Sequence, residues 1–161
     1  MIVFWLLPFA ALLHVFEEFV FPGGFGNWDR ENRPAFAASI TPRFHVTINL
    51  VFVSLCFLPL VLHGEYSVAW WLCMASVVFV NALFHIRGTL RTRKYSPGLA
   101  TSIILYLPLS VYGYWYFLTH ALTTVEQEIV SSMTGFIYWY VSALNHKRRA
   151  RKIEERPTIP A

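Results

Sequence analysis

Three residues near the end of the first apolar run combine types that bind metals or move protons: His14, Glu17 and Glu18, in Leu13-His14-Val15-Phe16-Glu17-Glu18-Phe19. Between Met1 and Phe21 no other side chain is ionisable. On a helix, residues three and four apart share a face, so both carboxylates flank the direction in which His14 points. The run is long enough to cross a bilayer, and ionisable residues inside such a span mark function.

Further donors recur with helical spacing. His45 and Asn49 are four apart, as are Asn81 and His85, so each pair lies on one helix face. A catalytic zinc takes three protein ligands and keeps a position open for water, and histidine with carboxylate donors also suits iron or manganese. The pattern therefore predicts one divalent transition metal, zinc before iron or manganese, held by His14, Glu18, His45 and His85, with Asn49 and Asn81 hydrogen-bonded alongside. Glu17 and Glu18 carry the catalytic role, one as ligand and the other as general base. The His-Glu-x-x-His signature of zinc proteases lacks its second histidine here. Carboxylates are too few for a di-iron bundle site. The competing reading is an ion pair of the glutamates with Arg43, Arg87 or Arg91 that only fixes helix packing.

The elements that must position these residues are apolar. A chain of 161 residues that is 56% hydrophobic, 17% aromatic and only 14% charged departs far from soluble composition. Beyond Met1 to Phe21, apolar runs extend over Phe44 to Leu62, Val68 to Ile86, Leu99 to Leu118 and Ile129 to Leu144. The expected fold is all-α, a polytopic transmembrane bundle of about five helices in the cell membrane. Residues 1–146 form the helical domain and 147–161 a basic cytoplasmic tail. The fifth run carries Ser131, Ser132, Thr134 and Gly135, so a peripheral last segment is the alternative.

Lysine and arginine set the orientation. The loop from Arg87 to Lys94 and the tail from Lys147 belong in the cytoplasm, as does the loop from Pro22 to Arg43, leaving Met1 outside. The uncharged start lacks the basic region of a signal peptide and reads as a retained helix. Thr41-Pro42 and Ser96-Pro97 each put a capping hydroxyl before a first-turn proline, and Pro22-Gly23-Gly24 ends the first helix. Ala10 and Ala11 let a neighbouring helix approach the His14 face.

The net charge of +4 resides mostly in loops and tail, which fits attraction to anionic headgroups and gives no nucleic-acid platform. Cys56 and Cys73 read as small buried hydrophobes. His63, His120 and His146 read as interfacial residues or partners of terminal carbonyls.

His14-x-x-Glu17-Glu18, Pro22-Gly23-Gly24-Phe25, Asn81-x-x-x-His85 and Tyr95-Ser96-Pro97-Gly98, in this order, resemble the HXXEE family of small bacterial and archaeal membrane proteins, over the chain up to about Leu144. The resemblance implies a shared fold and site but names no substrate. Membrane-embedded CAAX-type proteases are similar in kind, with a double glutamate, a lone histidine and a His-x-x-x-Asn pair. The order of the last two is reversed here and Pro22 stands where those enzymes have arginine, so proteolysis does not carry over. The expectation is a membrane metal-dependent enzyme, most simply a hydrolase acting on a lipid or membrane-proximal substrate near the cytoplasmic leaflet. The alternatives are a small ion- or proton-binding transporter and a structural membrane subunit without catalysis.

Overall fold

The computed structural model describes residues 2–155, and every regular element among them is helical. Helix α1 (Val3–Phe19) is followed by the short α2 (Phe25–Asn32) and a 3-10 segment (Pro34–Ser39). Next come α3 (Pro42–Phe57), continued by one 3-10 turn, and α4 (Glu65–Thr92). Leu99–Thr101, the π segment Ser102–Tyr106 and Leu107–Thr119 run on without a break and are numbered together as α5. Helix α6 (Val125–Glu154) closes the described chain. Pro42–Leu60 and Glu65–Thr92, with mean hydropathies of 1.6 and 1.8, are long and apolar enough to cross a membrane.

Helix α4 is the central post. Its Trp71, Leu72, Ala75, Val78 and Ala82 are buried in a core shared with Val3, Leu7 and Ala11 of α1, Cys56 of α3 and Tyr106 and Phe117 of α5. Two glycines permit its closest contacts. The Trp71 ring occupies the space in which a Cβ on Gly113 would sit, with Cζ3 only 2.0 Å away. On the opposite side Gly135 of α6 lies on the α4 backbone: a Cβ there would be 2.3 Å from the Ser76 carbonyl oxygen. The Ser76 hydroxyl donates to the Ser132 carbonyl at 2.6 Å and accepts from the Gly135 amide at 3.0 Å. The serines and glycine that weakened the fifth run as an apolar span are thus its packing seam.

Several boundaries follow the expected signals. Pro42 opens α3 and the Thr41 hydroxyl accepts from the Phe44 amide. Gly23 and Gly24, at φ +70° and +88°, turn the chain away from α1. Ala10 and Ala11 are buried.

Others differ. The stretch from Arg87 to Thr92, expected as loop, is the last part of α4. The connection from Pro22 to Arg43 contains α2. Ser96-Pro97 does not cap a helix: α5 starts at Leu99 behind Gly98, which has φ +99°. Helix α6 passes through Lys147 without interruption, and the end of the tail from Arg156 lies outside the described residues. Cys56 is buried, while Cys73 is half-buried and accepts from the Thr134 hydroxyl at 3.4 Å. His120 does meet a terminal carbonyl, that of Tyr116, but His146 is buried against Ser39.

Because the Ser76 carbonyl belongs to the backbone of the central helix, Gly135→Ala forces α4 and α6 apart. The expected cost is about 1–3 kcal/mol, read as a lower melting temperature in detergent, whereas alanine at exposed Ile137 leaves melting nearly unchanged.

Candidate metal centre

Successive residues on a helix diverge by roughly 100°, so Glu17 and Glu18 at the end of α1 face different neighbours. Glu17 turns to the start of α5. Its Oε1 accepts from the Gly98 amide at 2.9 Å and the Ala100 amide at 3.0 Å, and from the Tyr95 hydroxyl. Its Oε2 accepts from the Thr101 amide at 2.7 Å and hydroxyl at 2.5 Å. Five donors on two oxygens are the demand of an ionised carboxylate. Glu17 therefore supplies the N-terminal cap of α5 from another helix, which leaves the Ser96 hydroxyl free for His85.

Glu18 turns to α4. Its Oε1 lies 3.4 Å from His14 Nε2 and 3.3 Å from His85 Nε2. One ligand atom from each of these three residues falls within 4.8 Å of the others, and all three residues are buried. Neither Nε2 has a hydrogen-bond partner. The other ring nitrogens are held: Nδ1 of His14 is 2.8 Å from the Thr101 hydroxyl and Nδ1 of His85 is 2.8 Å from the Ser96 hydroxyl. Since the Thr101 hydroxyl proton goes to Glu17, its oxygen accepts from His14 Nδ1–H, which leaves the lone pair of His14 on Nε2. Such outer hydrogen bonds orient metal-binding histidines.

Packing fixes the rings. Tyr106 stacks on His14 with centroids 4.4 Å apart, and Trp28 stacks on His85 at 6.0 Å. Gly98 passes between the imidazoles, where a Cβ would lie 2.7 Å from His85 Cε1 and 2.8 Å from His14 Cε1. Only glycine allows that approach. The π segment begins directly after Thr101, and such insertions favour functional sites.

His45 does not join the group. Its Nε2 is 3.8 Å from Asp29 Oδ2, and Phe25 stands between it and His85, with ring centroids 5.4 and 5.5 Å from the two imidazoles. The expected four-ligand set is thus three residues with His45 set apart. Asn49 donates back to the His45 carbonyl at 3.0 Å, and Asn81 has a buried Oδ1 without a partner. No arginine pairs with Glu17 or Glu18 among the described residues. Arg33 instead grips Asp29 through two bonds of 2.7 and 2.5 Å. Burial pushes the Asp29 carboxyl up, but the nearby His45 and the two hydrogen bonds and positive charge of Arg33 outweigh it and hold the group below the usual carboxylate range.

His14 and Glu18 open on a cavity of about 720 Å³ between α2, α3, α4 and α6, whose wall also includes Asp29, His45 and Asn81. His85 sits behind them, fully buried. Sequence reasoning missed Tyr95, Ser96, Gly98, Thr101, Asp29 and Arg33. Tyr95-Ser96-Pro97-Gly98 did stand out as a motif, but nothing local shows that this turn folds back onto α1.

The HXXEE family model, described as a protein of unknown function with HXXEE motif, matches residues 5–113. The chain belongs to this family. No curated protein and no solved structure matches it. The match spans all of the motif's partners, from His14 to Thr101. The histidine and second glutamate of HXXEE form the cluster with His85, while its first glutamate caps α5.

The five donors on Glu17 make its charge structural. Glu17→Gln removes charge from five donors and should destabilise the protein by about 2–4 kcal/mol with or without chelator, measured by thermal unfolding in detergent. For Asp29 the lowered folded value means that its contribution is present above the unfolded value of about 3.9 and is lost as pH falls through the folded one. Wild-type melting should therefore drop below about pH 4 more steeply than that of Asp29→Asn.

Proposed function

We propose that this protein is a multi-pass membrane enzyme that uses one divalent transition metal, zinc before iron or manganese, bound by His14, Glu18 and His85. The carrying observation is the set of three buried ligand atoms within 4.8 Å of one another, with both Nε2 atoms unpartnered. The Nε2 lone pair of His14 and the Glu18 carboxylate face each other at 3.4 Å and repel unless a cation or a proton lies between them. A His2Glu set with an open side is a catalytic zinc arrangement, and the open side here is the cavity. When bound, the ion would act as a Lewis acid toward water and a carbonyl or phosphoryl oxygen, so hydrolysis is the simplest reaction class.

The chain's own residues take the remaining roles. Glu17 is committed to its five donors and is poorly suited to be a base. His45, backed by Asp29, is the cavity-facing group able to accept a proton. Asn81, with its free Oδ1, is placed to orient a donor on the substrate.

The membrane reading is supported by the outer surface. Trp5, Phe9 and Phe16 of α1, Val111 and Trp115 of α5, and Val130, Ile137 and Tyr140 of α6 are all exposed. Apolar coverage of this extent fits hydrocarbon better than water. Helix α4 and its neighbours would cross with the basic end, Arg87 to Lys94, in the cytoplasm. The site then lies toward the cytoplasmic leaflet, within reach of lipid substrates.

Metal analysis of protein purified in detergent tests the centre: near one equivalent is expected in wild type, with loss in Glu18→Gln and His85→Ala. Chelator should lower the wild-type melting temperature and leave that of Glu18→Gln unchanged. Metal-free, chelator-indifferent wild type would remove the metalloenzyme reading. Orientation is tested in intact cells with an impermeant thiol reagent, using the exposed positions Tyr66→Cys and Lys94→Cys. The first should be labelled and the second protected.

A further inference from the structure

The cavity that meets His14 and Glu18 is polarised along its length. On α4, Val80, Phe84, Arg87 and Arg91 line it at spacings of four, three and four, so they form one stripe. From Val77 at one end to Arg91 at the other the groove runs about 21 Å at 1.5 Å per residue. The Val77 end is apolar, walled by Phe52 of α3 and by Phe136 of α6, which follows the Gly135 contact to Ser76. The other end is cationic. Arg33 is neutralised by Asp29, and the Arg91 guanidinium donates to the amide oxygen of Asn32 at 2.6 Å. Arg87 and Arg91 have no acidic partner among the described residues, and both line the cavity. The His85 position lies between the ends, about 9 Å from Arg91 along the helix.

A long apolar channel that ends in two guanidiniums without acidic partners is complementary to an acyl chain with an anionic head, and a doubly charged phosphate monoester matches the two guanidiniums. Guanidinium pairs with phosphate through two parallel hydrogen bonds, while the chain displaces water from the Phe52, Val77 and Phe136 walls. We propose that the groove binds an anionic acyl phospholipid, with its phosphate at Arg87 and Arg91 and its acyl chain directed toward Val77. The first bonds of the chain then pass the edge formed by His14 and Glu18. The inference rests on the proposed metal centre only for that last alignment, because binding itself needs no metal.

The test uses the full chain in maltoside detergent with chelator present throughout. Affinities are measured by thermophoresis for oleoyl lysophosphatidate, uncharged monoolein and inorganic phosphate. Oleoyl lysophosphatidate is expected to bind about tenfold or more tighter than monoolein, the worth of one charge-assisted contact. Arg87→Gln, at an exposed side chain, should lose most of that margin and leave monoolein unaffected. Ala143→Trp, at a half-buried groove position, should weaken both lipids. Equal affinity for the two lipids, or no effect of Arg87→Gln, would overturn the headgroup assignment. No effect of Ala143→Trp would overturn the groove itself. Full competition by inorganic phosphate alone would reduce the site to a free-phosphate site and likewise overturn the lipid. Metal content, measured separately on samples purified without chelator, reports on the metal centre alone, so the two readings fail independently.

Discussion

The Glu17 carboxylate is the interaction on which the site depends. It gathers Tyr95, Gly98, Ala100 and Thr101 onto the end of α1, and these residues include the free amides at the start of α5. A helix start buried without acceptors for its amides is costly, and here the acceptor comes from another helix. The same clamp lays Gly98 between His14 and His85 and brings the Thr101 hydroxyl to His14 Nδ1. The fold of one turn thereby sets the tautomer of one imidazole and the spacing of two.

Adjacent glutamates can do this because of helix geometry. The residue four beyond His14 lies over it and shares its partner on α4, whereas the residue three beyond is rotated to the opposite flank and meets α5. A doublet at the end of a helix thus serves two neighbours at once. Either glutamate alone would leave one unserved: without Glu17 the α5 amides lack an acceptor, and without Glu18 the two histidines face no carboxylate.

Much of this was legible in the residues. The cost of ionisable groups inside an apolar run picked out His14, Glu17 and Glu18, and the four-residue spacing of Asn81 and His85 picked out the facing helix. Thr41-Pro42 and Pro22-Gly23-Gly24 located helix ends because their chemistry is local. What failed was non-local. Ser96-Pro97 has the form of a cap, yet the acceptor at the start of α5 comes from α1, distant in sequence, and the serine is drawn to His85 instead. His45 has the type and face of a ligand, but Asp29 on α2 claims it. That helix lies in a stretch whose arginines and glycines read as loop. Charge likewise hid the end of α4, since Arg87 and Arg91 looked like loop residues but extend the helix past the site.

The arginines of the chain are distributed away from Glu18. Enclosing a carboxylate costs several kcal/mol unless positive charge offsets it. Three arginines line the same cavity, any of which has the reach of a long side chain. None turns to Glu18: Arg33 is held by Asp29 and stacked over Phe84 with its guanidinium carbon 5.0 Å from the ring centroid, and Arg91 is held by Asn32. Two imidazole Nε2 atoms lie 3.4 and 3.3 Å from Glu18 Oε1, and the other nitrogen of each ring is engaged by a hydroxyl. Glu18 is thus faced by two imidazoles and, among the described residues, by no arginine.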